Sequence, residues 1–173
     1  GNSENAKAIF FNVTDDKQRE YEITNSDIVI SMLPASMHIV VAKDCVRLKK
    51  NLVTASYVSD EVSELDEIAK QAGVLLLNEI GLDPGIDHMS AMQIIDEIKE
   101  KGGKLTSFKS FCGGLLHPDY DSNPWNYKFT WNPRNVVLAG QGNAQYIKKG
   151  KYKYIPYTKL FERTECVNIL DIG

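Results

Sequence analysis

The sequence predicts an α/β protein in which half of a doubly wound parallel sheet is followed by a second domain of α+β type. Three observations carry this expectation. Short apolar runs recur at a steady interval, from Ile28 to Leu33, Leu52 to Ala55 and Val74 to Leu77. They are continuous rather than alternating, the pattern of strands covered on both faces, as in a parallel sheet. Helical patterns fill the gaps, so the rhythm is strand, helix, strand, helix, strand, with right-handed crossovers.

Taken in order, an early apolar run from Ala8 to Val13 predicts one further strand. Pro34 ends the run from Ile28 to Leu33. From Ser36, the apolar positions Ile39, Val40, Ala42, Cys45, Val46 and Leu48 make one helical stripe, which stops at Lys49-Lys50-Asn51. Ser59 is an N-cap with Asp60 and Glu61 behind it. Val62, Leu65, Ile68, Ala69 and Ala72 then form the next stripe, stopped by Gly73. Asp83-Pro84 reads as another helix start, with Asp83 as N-cap and Pro84 at the first helical position. That helix is predicted over residues 85–101, with Met89, Met92, Ile95 and Ile98 on one face and Gly102-Gly103 closing it. Beyond it, Leu105 to Cys112 alternates as a half-covered strand does. Aromatic strands follow from Tyr127 to Trp131 and from Tyr152 to Ile155. The domains are accordingly residues 1–84 and 85–173.

Composition narrows the function classes. A net charge of −3, with no long basic stretch, gives no electrostatic case for nucleic acid or an anionic membrane. Lys148-Lys149-Gly150-Lys151 and Lys49-Lys50 read as solvated helix ends. No apolar run approaches the ~18–20 residues that span a bilayer. The first residues lack the features of a signal peptide, and a cytoplasmic protein is expected. Cys45, Cys112 and Cys166 stand far apart, which suggests neither disulfides nor a metal site. A dinucleotide-binding fold opens with G-x-G-x-x-G between strand and helix. The one near match, Gly140-Gln141-Gly142, has Gln145 at the third glycine position and reads as a loop.

Ligands of an open α/β sheet bind outside the carboxyl ends of its strands. Pro34, Ser56-Tyr57 and Asp83 all fall there. Asp83 reads as a helix cap, and its carboxylate could also bind a ligand ammonium or hold a proton near a reacting nitrogen; the roles are geometrically compatible. His88 titrates near neutrality and could transfer a proton, or could make a structural hydrogen bond one turn into its helix. Cys112 by itself reads as a buried inert thiol. His38 and His117 have no partner pattern and read as surface or packing residues.

Five ordered stretches resemble one family. They are Asp27-Ile28-Val29-Ile30-Ser31-Met32-Leu33-Pro34, Val53-Thr54-Ala55-Ser56-Tyr57-Val58-Ser59, Gly81-Leu82-Asp83-Pro84-Gly85-Ile86-Asp87-His88, Ser110-Phe111-Cys112-Gly113-Gly114 and the segment from Asn123 to Trp131. Together they are similar to the saccharopine reductases, the glutamate-forming saccharopine dehydrogenases. The resemblance implies a partial Rossmann-like NADP domain followed by a substrate and dimerisation domain, in a fragment that begins after the phosphate-binding loop. It implies NADP(H) contacts at Leu33, Pro34, Ala55, Ser56, Leu82, Asp83, Pro84 and Asn132, where Asn132 replaces the family's serine. It implies amino-acid substrate contacts at Ser56, Tyr57 and Asp83, with Asp83, Tyr57 and Cys112 lining the reacting centre. The implied reaction interconverts saccharopine with 2-aminoadipate 6-semialdehyde and glutamate, in a homodimer. Related sequences that make carboxynorspermidine or carboxyspermidine keep the same fold and remain an alternative. So does a fragment that binds or dimerises without turnover.

Overall fold

A computed structural model describes residues 5–113, 116–120, 122–124, 127–129, 133–134, 137 and 141–164. The chain divides into two units, residues 1–112 and 113–173.

In the first unit, strands β1 (Ile28–Ser31), β2 (Asn51–Thr54) and β3 (Leu76–Leu77) form a parallel sheet in the order β1-β2-β3. Ile28 stands beside Asn51 and Ser31 beside Thr54, so the strands end level at their carboxyl edge. Helix α2 (His38–Arg47) crosses from β1 to β2. Its buried residues Val41, Ala42 and Cys45 pack with Ile23 and Leu52 into the main core, joined by Val29, Leu33, Leu65 and Leu76. A smaller cluster joins Val46, Ala69 and Val74. The predicted crossover helix after Ser59 forms as two pieces, α3 (Asp60–Ser63) and α4 (Asp66–Ala72). Ser59 caps the first, its hydroxyl accepting the Val62 N–H. Gly73 ends the second in the left-handed conformation, φ 69°.

Several expectations need correction. The run from Ala8 to Val13 is not a strand; Ile9, Phe10 and Phe11 are exposed, and no described strand lies alongside to share a ladder. A helix with little apolar periodicity follows instead, α1 (Asp16–Thr24). The Asp15 carboxylate caps it, accepting from Lys17 N and Gln18 N. It is pinned by charge as much as by apolar contact. Buried Arg19 bonds the Asp44 carboxylate of α2, the Val13 carbonyl at 2.6 Å and Asp16 at 2.8 Å. Burial works against the charge of both Arg19 and Asp44. Their mutual hydrogen bond, with Asp16 and Arg47 adding to it, nevertheless raises the arginine's pKa and lowers the carboxyl's. The α2 stripe is accordingly rotated from the expected one: His38, Val41 and Asp44 are buried, whereas Val40 is exposed.

Burial on both faces is not realised either. Val29, Ser31, Leu52 and Thr54 face inward, but Ile28, Ile30 and Leu75 are each more than half exposed on the opposite face.

The long helix α5 spans Ile86–Glu100 and ends at Lys101, with Gly102 at φ 73°. Asp83 is not its N-cap. That position belongs to Gly85, and Pro84 precedes the helix, joined to Asp83 by a cis bond. Of the expected face, Ile95 and Ile98 are half-buried while Met89 and Met92 stay exposed. The segment from Leu105 to Cys112 forms no strand, since no described strand takes up its backbone groups.

In the second unit, β4 (Ala144–Lys148) and β5 (Lys151–Ile155) form an antiparallel hairpin. Lys149 and Gly150, at φ 53° and 72°, make its two-residue turn, so the cluster Lys148-Lys149-Gly150-Lys151 is a hairpin tip and not a helix end. β5 matches the predicted strand from Tyr152 to Ile155. Residues 127–129 are not in a strand, and Trp131 and Asn132 lie outside the described residues. Gln141 and Gly142 lie in a turn, as the loop reading requires.

Candidate functional site

The carboxyl edge of the parallel sheet is where the sequence brings polar groups together. Strand β2 ends at Thr54, and two backbone bonds tie the residues beyond it to those beyond β3. Ile80 N–H donates to the Thr54 carbonyl and Glu79 N–H to that of Ser56. Glu79 adopts φ 63°, unusual for a side chain larger than glycine, and its carboxylate accepts the Val58 N–H at 3.3 Å. Residues 56–58 are therefore held by Glu79 through both backbone and side chain.

The loop that follows is closed on itself. Gly81 N–H donates to the Pro84 carbonyl at 2.8 Å, Ile86 N–H to Gly81 and Asp87 N–H to Leu82. Gly85 makes this possible: at φ 144°, a Cβ there would lie only 2.5 Å from Gly81 N and 2.9 Å from the Glu79 carbonyl. A Cβ on Gly81 would lie 2.9 Å from Ala55 Cβ, so the loop packs directly on the end of β2. Asp87, inside the first turn, reaches back to the loop instead. Its Oδ1 accepts the Gly85 N–H at 2.9 Å and pairs with His88 Nδ1 at 2.7 Å. Burial would raise the Asp87 pKa, but the His88 and backbone hydrogen bonds hold it below the ordinary carboxylate value. His88, largely exposed, makes the structural bond rather than reaching into the site.

Relieved of capping, the Asp83 carboxylate acts on Cys112: by favouring the protonated thiol, with burial and the charges of Asp83 and Asp87 adding to it, it pushes the thiol pKa up. Tyr57 is raised as well, first by burial and then by the carboxylates of Asp83, Asp87 and Glu79. The phenol and the thiol thus stay protonated at neutral pH. They act as hydrogen-bond donors and not as nucleophiles. A carboxylate in such company suits a cationic nitrogen, for which it supplies a charge-assisted acceptor.

Tyr57 and Cys112 thus lie within electrostatic reach of Asp83. Ser56 is half-buried nearby in sequence, with Ala55 packed beneath Gly81. Pro34 and Leu82 are exposed, Leu33 is half-buried against the core, and Pro84 is buried. Asn132 lies outside the described residues. Among those residues no group of side chains suits a metal ion. Sequence reasoning missed two participants. Glu79 carries no signal but its place in the loop. His38, taken for a surface or packing residue, is buried between the hydroxyls of Ser31 and Ser56, at 2.8 and 2.7 Å.

A parallel half-sheet with hydroxyl, phenol and carboxylate groups at its carboxyl edge defines an α/β nucleotide-domain protein of the dehydrogenase type. Comparison with known proteins makes this specific. Residues 2–77 match the family model for the saccharopine dehydrogenase NADP binding domain, and residues 81–172 match that for the saccharopine dehydrogenase C-terminal domain. The chain belongs to the saccharopine dehydrogenase family. It is 48% identical over 156 residues to alpha-aminoadipic semialdehyde synthase of Arabidopsis thaliana, covering 90% of this chain and 15% of that protein. It is 45% identical over 150 residues to the NADP(+), L-glutamate-forming saccharopine dehydrogenase of Saccharomyces cerevisiae, covering 87% of this chain and 34% of that protein. The apo, histidine-tagged yeast enzyme superposes with a TM-score of 0.81 at 43% identity, over 95% of this chain and 37% of that one. The chain thus spans about a third or less of the length of these relatives.

The donor set at the edge fits one part of a nicotinamide cofactor. Ser56 offers a hydroxyl to an amide or sugar group, and Pro34 and Leu82 offer exposed apolar surface. The sequence contains no G-x-G-x-x-G loop for a pyrophosphate.

Proposed function

We propose that this chain forms part of an NADP-dependent oxidoreductase acting on a C–N bond, which interconverts saccharopine with 2-aminoadipate 6-semialdehyde and glutamate. The observation that carries it is the convergence of Asp83, Tyr57 and Cys112, in a chain whose relatives bear names for this chemistry. When bound, the nicotinamide supplies the hydride. The chain's own residues do the rest. Asp83 faces the nitrogen that turns positive when the imine is protonated, and stabilises that charge. Tyr57 and Cys112, both protonated, donate to Asp83 or to a substrate carboxylate and fix the orientation. Ser56, Pro34, Leu33, Ala55 and Leu82 hold the cofactor's edge; the family resemblance adds Asn132, which lies outside the described residues, and the second domain of this reading begins at residue 85. Burial of Pro84 leaves it a support of the loop.

The 173 residues alone hold NADPH very weakly and do not turn over, because their sequence contains no G-x-G-x-x-G motif to cradle its phosphates. The whole protein works in the cytoplasm as a dimer, consistent with the exposed Tyr152, Tyr154 and Ile147 of the β4–β5 hairpin. Light scattering of the whole protein tests the dimer. The decisive assay follows NADPH oxidation by the whole protein with 2-aminoadipate semialdehyde plus glutamate. A parallel arm uses aspartate semialdehyde plus diaminopropane. Turnover in the first arm supports the proposal. Turnover only in the second moves the protein to polyamine synthesis, and silence in both overturns the reaction.

A further inference from the structure

We propose that His38 is a positioning residue that sets the direction of the Ser56 hydroxyl and so tunes cofactor and substrate binding at the strand edge. This rests on the reading above, in which Ser56 touches both. His38 begins α2, yet its ring lies across the ends of two strands and is 4% exposed. Nδ1 meets Ser31 Oγ at 2.8 Å. Nε2 meets Ser56 Oγ at 2.7 Å, with Thr54 Oγ1 further off at 3.3 Å. Thr54 Oγ1 in turn accepts the Ser56 N–H at 3.3 Å. Both sides of Ser56 are thus tied to one buried polar group.

The chemistry of the ring makes this more than packing. Burial lowers the His38 pKa and keeps the ring neutral. A neutral imidazole has one N–H and one lone pair, so the bond at Nδ1 dictates the role of Nε2. If Ser31 accepts from Nδ1–H, Nε2 must accept from the Ser56 hydroxyl, which then turns only lone pairs toward a ligand. If Ser31 donates, Nε2–H donates to Ser56, whose proton is left for a ligand oxygen. Either way the ring restricts the hydroxyl before a ligand arrives: one tautomer fixes its proton on the imidazole, the other holds a lone pair there and leaves the proton the two remaining staggered positions. Without His38 the hydroxyl rotates, and part of the binding free energy goes into ordering it.

The test is a double-mutant cycle in the whole enzyme that carries this chain, with His38→Leu, Ser56→Ala and the pair. His38→Leu is expected to lower kcat/KM roughly tenfold, about one oriented hydrogen bond, mainly through KM. It should cost nothing further when Ser56 is already alanine. His38→Gln, which keeps a donor and an acceptor, should recover part of the loss. An equal loss in both backgrounds would mean that His38 only holds the fold, and would overturn the proposal. Unaltered kinetics in Ser56→Ala would remove the reading of Ser56, and this proposal with it. Should His38→Leu not fold, the nitrogen-15 spectrum of the His38 ring decides. One fixed neutral tautomer that shifts in Ser56→Ala supports the coupling; ring signals indifferent to that change refute it.

Discussion

Substituting Gly85 by alanine tests whether the loop before α5 is built as described. At φ 144° and ψ −90° the backbone lies where side chains are almost never found, which costs roughly 1–3 kcal/mol. The added methyl would also press on Gly81 N and on the Glu79 carbonyl, backbone atoms that cannot swing aside. Overpacking of that kind costs a further ~1–3 kcal/mol. Gly73→Ala is the matched control. Gly73 is also left-handed, at φ 69°, but nothing lies within 4 Å of its missing Cβ, so only the conformational cost of roughly 1–2 kcal/mol remains. For a chain of this size 1 kcal/mol moves the melting midpoint by about 2–4 °C. Gly85→Ala should therefore melt about 10 °C below the parent and Gly73→Ala only about 3–6 °C below. Circular dichroism at 222 nm suits the purpose, because helices α1 to α5 all lie in the first unit. If the two variants melted within a degree or two of each other, the close approach of residues 79, 81 and 85 would be wrong.

Asp83→Asn in the whole enzyme should reduce kcat/KM by roughly ten- to a thousandfold while leaving the fold intact, as Asp83 caps nothing; wild-type rates would remove it from the chemistry. The same substitution should speed alkylation of Cys112 at pH 8, since it deletes the group that holds the thiol proton. Peptide mapping by mass spectrometry would follow it, and an unchanged rate would contradict that effect. Cys45, with its pKa pushed up to about 12 by burial, should stay unlabelled unless the chain unfolds. Stability should fall in two acid windows. Neutral buried His38 has a lowered pKa, so its contribution is whole above the unfolded value of ~6.5 and declines as pH drops through it. Asp44, also lowered, contributes above ~4 and loses that contribution on further acidification. Urea midpoints of His38→Gln and Asp44→Asn should each lack one of the two declines.

The parallel half-sheet was legible because apolar runs spaced by helical stripes have few other solutions, and Ser59 and Gly73 act through their immediate neighbours. Helix α1 was not, because its anchor, Arg19 on Asp44, joins residues far apart in sequence and leaves no periodicity. The strand expected from Leu105 to Cys112 shows the converse: alternation states what a segment suits, while a strand also needs a partner. At the site, Tyr57, Asp83 and Cys112 could be named from family motifs, but not the electrostatic hold of Asp83 on the other two. The misassigned cap has a local cause. Asp83-Pro84 carries the usual sign of a helix start, yet the hydrogen bonds from Gly81, Ile86 and Asp87 push that start two residues on. His38 was passed over because its partners, Ser31 and Ser56, belong to two different strand ends that only folding brings together.

The division of labour between Asp83 and Asp87 has a consequence for how this loop can change. One acid secures the architecture, binding the Gly85 amide and its neighbour His88, while Asp83 caps no helix and acts on the side chains of Cys112 and Tyr57. Chemistry and scaffold are thereby uncoupled four residues apart. Position 83 can explore other side chains, and with them other ligands, without each trial being vetoed by the start of α5. Position 87 has no such liberty.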